Sequence, residues 1–184
     1  MIVEDGTGVV GADSYATVAS ADAYHLARGN AAWASATNTQ KEAALINASA
    51  YLDAAYNFIG HRATTTQGLQ WPRIVDAYSG GASAYQSPPN GWLPAGQWPP
   101  TGVINATYEL ALRALAGALA PDPVYDASGG TVTSTSIEVG PLKKAQVTSG
   151  GGQSAAWSMR KYPIVEALMR GYVVSKYNLI AERA

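Results

Sequence analysis

Between residues 74 and 100 the chain carries five prolines and four glycines, in a run that ends SPPNGWLPAGQWPP. Proline removes a ladder donor and glycine costs backbone entropy, so this stretch neither continues a helix nor sits inside a sheet. It divides the chain, and the fold must be built from the segments on either side. A structureless segment this long inside a compact domain is either mobile or functional.

Upstream, Ser20 reads as the N-cap of a short helix running to about Arg28, with Gly29 as its stop. Residues 30–38 form a link carrying Trp33. Thr39 to Glu42 (TQKE) read as a capping box. The helix it opens carries Leu45, Ala48, Leu52, Tyr56 and Ile59 on one stripe and stops at Gly60. The Gly-rich residues 1–13 read as an extended arm. Between the long helix and the divider lies TTTQGLQWPR, residues 64–73. It is expected to be a structural hinge of Leu69, Trp71, Pro72 and Arg73. Leu69 and Trp71 plug against the helical core, and Pro72 biases Trp71 towards extended backbone. Arg73 is placed to pair with an acid such as Asp53 or Glu109.

Downstream, a helix starts near Thr101, with Ile104, Tyr108, Ala111, Leu115 and Leu119 on one face and Pro121 at its end. Residues 131–148 look like a β-hairpin, with β-branched residues flanking a Gly140-Pro141 turn signal. SGGGQS is a linker, and Tyr162-Pro163 opens a last helix whose stripe is Val165, Leu168, Met169 and Tyr172, extending towards Ala184. The sum is a mainly α fold in one domain, 1–184: a small bundle of about four helices with one β-hairpin and long loops. No internal repeat is visible.

Function classes narrow on charge and chemistry. Charged residues are 14% of the chain and the formal net charge is -1, from 12 basic and 13 acidic residues. A protein that holds nucleic acid by counterion release needs clustered Lys and Arg. The densest basic spots here are Arg160-Lys161 and Lys143-Lys144. There is no cysteine, which excludes disulfides and thiolate chemistry. The acidic start MIVEDGTG is unlike a signal peptide, and no run approaches the ~20 apolar residues of a membrane span. A soluble protein made in the cytosol is expected.

An active site is hard to find. His25 and His61 each lack a second imidazole or carboxylate at metal-ligand spacing, and read as surface or core-edge residues. No Gly-Lys dipeptide exists for a phosphate loop, and no G-x-S-x-G elbow for a serine nucleophile. No catalytic, metal-ligating or cofactor-binding residue is therefore expected, and the chain is not expected to be an enzyme. Glu109 with Arg113, and Glu166 with Arg170, are i,i+4 pairs on helices. The sequons at Asn47 and Asn105 lie in helical segments and read as chance matches. Five Trp and eleven Tyr are the remaining signal. Trp92 and Trp98 lie in a stretch with no Lys or Arg between Arg73 and Arg113. Rings in such loops more often anchor protein interfaces than stack on a single strand, which also needs a basic groove.

Several stretches in order, YLDAAYNFIGHR, QGLQWPR, INATYELALRALAG, IEVGPL and YPIVEALMRGYV, resemble the head–tail connector (neck adaptor) proteins of tailed phages. Some members of that family are labelled DnaT-like single-stranded DNA-binding proteins. The resemblance spans about Asp13 to Tyr172, and Leu-Gln-Trp-Pro-Arg is its most distinctive piece. It implies a mainly helical subunit of a homo-oligomeric ring, commonly a dodecamer, beneath the portal in the virion neck. Such a ring is assembled in the host cytoplasm, binds no membrane, and lets double-stranded DNA through its channel without specific binding. It meets the portal on one side and a tail or neck protein on the other. On that mapping Tyr162, Val165, Met169, Tyr172 and Tyr177 are candidate portal-docking residues. Trp92, Trp98, Ile137 and Val139 are candidates for inter-subunit or tail-side contacts. The alternative is a single-stranded DNA-binding protein, as the label says.

Overall fold

The computed structural model describes residues 1–74, 99–121, 131–138, 143–149 and 160–174, with backbone alone for 131–138 and 143–149. The chain divides into two compact units, residues 1–119 with 161–184, and residues 120–160. The first holds helices α1 (Val18–Leu26), α2 (Ala31–Ser35), α3 (Asn38–Ala55), α4 (Thr101–Ala114) and α5 (Pro163–Met169), with short strands β1 (His61–Arg62) and β2 (Arg73–Ile74). The second holds β3 (Thr131–Glu138) and β4 (Lys143–Ser149). The fold is mainly α, with α2 added inside the expected 30–38 link.

Helix α1 is capped by Thr17, whose hydroxyl accepts the Ser20 amide at 3.1 Å. Ser20, expected as the cap, sits one turn in, and its hydroxyl donates back to the Thr17 carbonyl at 2.9 Å. The earlier start places Ala21 and His25 on the buried side. Gly29 takes the left-handed φ of +66° after the helix, the conformation its missing Cβ permits. A similar shift occurs at α3. Two boxes overlap in TNTQKE, and the one formed is Thr37 with Gln40, not Thr39 with Glu42. The Gln40 amide donates to the Thr37 hydroxyl at 3.3 Å, and the Thr37 amide to the Gln40 side chain at 2.9 Å. That choice adds a helical residue pair ahead of Lys41, which is buried.

The buried face of α3 is Ala44, Leu45, Ala48, Tyr51 and Leu52, and the helix stops at Ala55, short of Ile59. Helix α4 buries Val103, Ala106, Thr107 and Leu110 together with the expected Tyr108 and Ala111. Ile104 and Leu115 are only half-buried. The shift follows from α4 having three helical neighbours, α1, α3 and α5, so its apolar arc is wider than one stripe. At Gly102 the α4–α5 approach leaves no room for a side chain. A Cβ there would lie 2.4 Å from the Tyr172 ring and 2.7 Å from the Leu168 carbonyl oxygen.

The last helix is shorter than expected. Pro163 occupies its first turn, where a missing N–H costs nothing. It ends at Met169, and Val173 then pairs antiparallel with Phe58. Residues 1–13 also depart from an extended arm. Val3 bridges Ser14, Val10 bridges Gln67, and the Gly68 amide donates to the Val9 carbonyl at 3.0 Å. Of the expected helix pairs, Glu109–Arg113 forms at 2.8 Å, whereas Glu166 accepts the Tyr56 hydroxyl at 3.0 Å. In the second unit β3 and β4 pair antiparallel from Thr131↔Ser149 to Glu138↔Lys143, with an irregularity between Val132 and Ser134. The Gly140-Pro141 turn and the SGGGQS linker lie outside the described residues. Among those described, no helix is long and apolar enough to cross a membrane.

Candidate functional site

Where α3 ends, residues 58–74 turn back on themselves through β1 and β2, and TTTQGLQWPR is the returning limb. Gln67 organises it. Its side-chain oxygen accepts the Thr64 amide at 2.8 Å, and the Thr64 hydroxyl accepts the Gln67 amide at 3.1 Å. Its Nε2 donates to the carbonyls of Leu69 (2.8 Å) and Pro72 (3.0 Å), and the Arg62 guanidinium reaches the Gln67 carbonyl. Gly68 is dictated by close approach: a Cβ there would lie 2.3 Å from the Ala12 carbonyl oxygen and 2.6 Å from its nitrogen.

Leu69 and Trp71 are buried, as expected of a plug, with Trp71 1% exposed. The Trp71 ring meets Phe58 (centroids 5.8 Å) and Tyr172 (6.3 Å) edge-on. The Trp71–Pro72 peptide is cis. Arg73 does not pair with Asp53 or Glu109. Its Nε donates to the Ile59 carbonyl at 2.8 Å, Nη1 to the Gln70 side chain at 2.8 Å, and Nη2 to the carbonyls of Phe58 and Gly60. The reason is local. The chain leaving α3 presents orphan carbonyls at 58–60 directly beside β2, and a planar five-donor fork satisfies several at once.

Asp53 is taken by another partner. The Tyr15 hydroxyl donates to Asp53 Oδ1 and itself accepts the amides of Gln70 (3.1 Å) and Trp71 (3.3 Å). Asp53 Oδ2 accepts the Gln70 amide at 3.0 Å. Burial pushes the Asp53 carboxyl up to about 6, against the pull of the Tyr15 and Gln70 hydrogen bonds. Burial, with the Asp53 charge beside it, raises the Tyr15 hydroxyl far above the usual phenol range. One further carboxylate ties the start of the chain. Glu4 is fully buried and accepts the amides of Gly6, Gly8 and Val9, each at 2.9 Å.

Sequence reasoning missed Glu4, Tyr15, Asp53 as a tyrosine acceptor, and Gln67. The only signal for Glu4 was an acid followed by Gly-x-Gly, a tight turn whose amides need an acceptor. Chemically the hub fastens three separate stretches, 4–15, the end of α3 and 62–73, through groups that satisfy each other.

A second cluster lies on α1, α2 and α4. The Arg28 guanidinium stacks 3.4 Å from the Tyr24 ring centroid, and the Tyr24 hydroxyl donates to Glu109 at 3.0 Å. Burial opposes ionisation of Glu109, but hydrogen bonds from Arg113 and Tyr24 outweigh it and hold the carboxyl below its ordinary range. Arg113 in turn sits 5.7 Å over Tyr162. His25 is not a surface histidine. It is 1% exposed, stacked on Trp33 at 4.5 Å, and burial keeps its ring below the ordinary imidazole pKa. Asp22 accepts both Trp33 Nε1 (2.7 Å) and Lys41 Nζ (2.9 Å). A cavity of 470 Å³ opens beside this pair, walled by Leu26, Ala31, Trp33 and Ala34.

The docking candidates separate. Val165 and Met169 are fully buried in the first unit, so they pack this subunit and present no surface to a partner. Tyr162 and Tyr172 are half-buried, with the Tyr162 hydroxyl donating to the Leu119 carbonyl at 2.9 Å. The exposed apolar side chains of that region are Ile164 (44%) and Val174 (57%). Ile137 stands opposite Lys144 in the β3–β4 pairing. Trp92, Trp98, Val139 and Tyr177 lie outside the described residues. Among the described residues no group of three or more His, Asp or Glu is placed to hold a metal ion.

These features define a small, mainly α-helical protein with one long antiparallel ribbon. The whole chain, residues 1–184, matches the family described as "Putative DnaT-like ssDNA binding protein", and it belongs to that family. No curated protein and no solved structure matches it.

Proposed function

We propose that the protein is a structural virion component, a ring-forming head–tail connector that joins the portal to the tail or next neck protein and extends the DNA channel. The observation that carries this reading is the β3–β4 ribbon. It lies in the second unit, residues 120–160, with eight- and seven-residue strands, and a two-stranded hairpin by itself is marginal in water. Neither set of alternate positions along it reads as a continuous apolar stripe, so the support open to it is a further strand along an edge, which a second copy would supply. The ordered resemblance to phage connectors supplies the kind of assembly, and the near-neutral charge suits a channel through which DNA slides. On this reading the protein is not an enzyme and takes no cofactor. The test is electron microscopy of purified virions with an antibody to this chain. Label in a ring at the neck is expected. A chain abundant in the infected cell but absent from purified virions overturns the proposal.

A second reading follows the family description: single-stranded DNA binding. The feature that favours it is the Arg28–Tyr24 and Arg113–Tyr162 stacking, since bases stack on rings beside guanidinium groups. Glu109 between them works against phosphate contact. A fluorescence titration with oligonucleotides at ~50 mM salt, where phosphate contacts are strongest, decides. Saturable binding that weakens with salt supports this reading, and no binding removes it.

A further inference from the structure

We infer that copies of this chain join edge to edge through the ribbon, the outer edge of β4 in one copy pairing antiparallel with the outer edge of β3 in the next. This rests on the ring reading above and specifies one of its interfaces.

Three observations lead there. First, strands that face solvent are normally guarded by charge, proline or short length. Along β3, Thr131 to Ile137 (TVTSTSI) contains no charge, no proline and no glycine. Its one irregularity, between Val132 and Ser134, lies near the end away from the turn. Such an edge is a template for another strand. Second, face packing is not the alternative. Alternate positions share a face of a ribbon, so the register groups Ser134, Ser136 and Glu138 with Val147, Ala145 and Lys143, and Thr135 and Ile137 with Gln146 and Lys144. Polar residues interrupt both groups. Among the described residues this sheet has two strands, so each strand has an outer row of backbone donors and acceptors that no other named strand pairs.

Third, charge chooses the occupant. Within one copy Glu138 pairs with Lys143. If β3 of a second copy lies against β4 at the same level, its Glu138 also falls beside the first copy's Lys143. Repeating this gives an alternating Glu/Lys row at the turn end, and opposite charges across strands are favourable. A β3–β3 or β4–β4 contact places no opposite charges across from each other. It is also isologous, so it ends at two copies with both outer edges bare. The β4–β3 contact is heterologous and leaves no free edge once a ring closes.

The absence of native cysteine makes the test clean. Chains carrying Glu138→Cys and chains carrying Lys143→Cys are coexpressed at full length, purified and oxidised mildly. Neighbouring strands lie about 4.8 Å apart, within disulfide reach, whereas identical positions two strands apart, at about 10 Å, are beyond it. The expected result is a covalent dimer from the mixture and none from either variant alone. Native mass measurement of the same samples runs in parallel. A multi-copy assembly without the mixed cross-link overturns the edge pairing and leaves the ring. Cross-linking within a single variant overturns it in favour of an isologous contact. A monomer at every concentration overturns both the pairing and the ring.

Discussion

Among the described residues the named strands form two antiparallel pairings of opposite character. The β1–β2 pair has two residues in each strand, His61↔Ile74 and Arg62↔Arg73, and is too short to hold itself together. It is secured by side chains: Gln67 on the carbonyls of Leu69 and Pro72, Arg73 on those of Phe58 to Gly60, and Trp71 driven into the core. The β3–β4 pair is several times longer, with strands of eight and seven residues. The short pairing is completed inside the subunit, and on the proposed reading the long one is completed by a second copy. If so, the contrast separates residues that make the fold from residues that serve assembly.

The contrast is broken first at Trp71. Trp71→Ala is expected to cost the subunit about 3–5 kcal/mol, the usual loss for a buried large aromatic, measured by denaturant unfolding. A variant of wild-type stability that fails to assemble would move Trp71 to an interface.

Asp53 sharpens it through pH. Its carboxyl is raised from 3.8 to about 6 in the fold, so the folded state binds the proton more tightly than the unfolded chain. The associated stability is fully present below pH ~4 and is lost as pH rises through about 6. The interval corresponds to roughly 3 kcal/mol at most. The difference in stability between wild type and Asp53→Asn should therefore change between pH 4 and 7, with wild type losing more. A pH-independent difference would show that folding does not raise the Asp53 carboxyl.

Gly68→Ala is expected to cost about 1–3 kcal/mol, because the added methyl meets Ala12 backbone and not a flexible side chain. A thermal midpoint equal to wild type would mean that 1–13 is free to move off the hub. The smallest effect on the subunit is expected from Glu138→Lys, within about 0.5 kcal/mol of wild type in the unfolding of the first unit, while assembly is lost. A global destabilisation would place the ribbon with the hub.

The sequence shows why these regions differ in legibility. The burial of Leu69 and Trp71, the stop at Gly29 and the β3–β4 pairing follow from residue type and spacing, whereas the expected stop at Gly60 does not hold, since α3 already ends at Ala55. The partner of Arg73 does not, because a guanidinium on paper seeks a carboxylate, whereas here the nearest need is three carbonyls stranded beyond α3. The start of α3 was ambiguous for a different reason: Thr37…Gln40 and Thr39…Glu42 both satisfy the capping pattern, and only tertiary packing decides between them. The resemblance implies that Val165 and Met169 face a partner, yet their i,i+4 spacing equally describes a core stripe, which is what they form.

The most direct test is amide hydrogen exchange on the full-length protein across a dilution series. Amides of residues 62–74 should stay protected at every concentration, while those of 131–138 and 143–149 gain protection as copies associate. Ribbon protection that does not change with concentration, or hub protection that falls on dilution, would contradict the division between a pairing closed within the chain and one closed between chains.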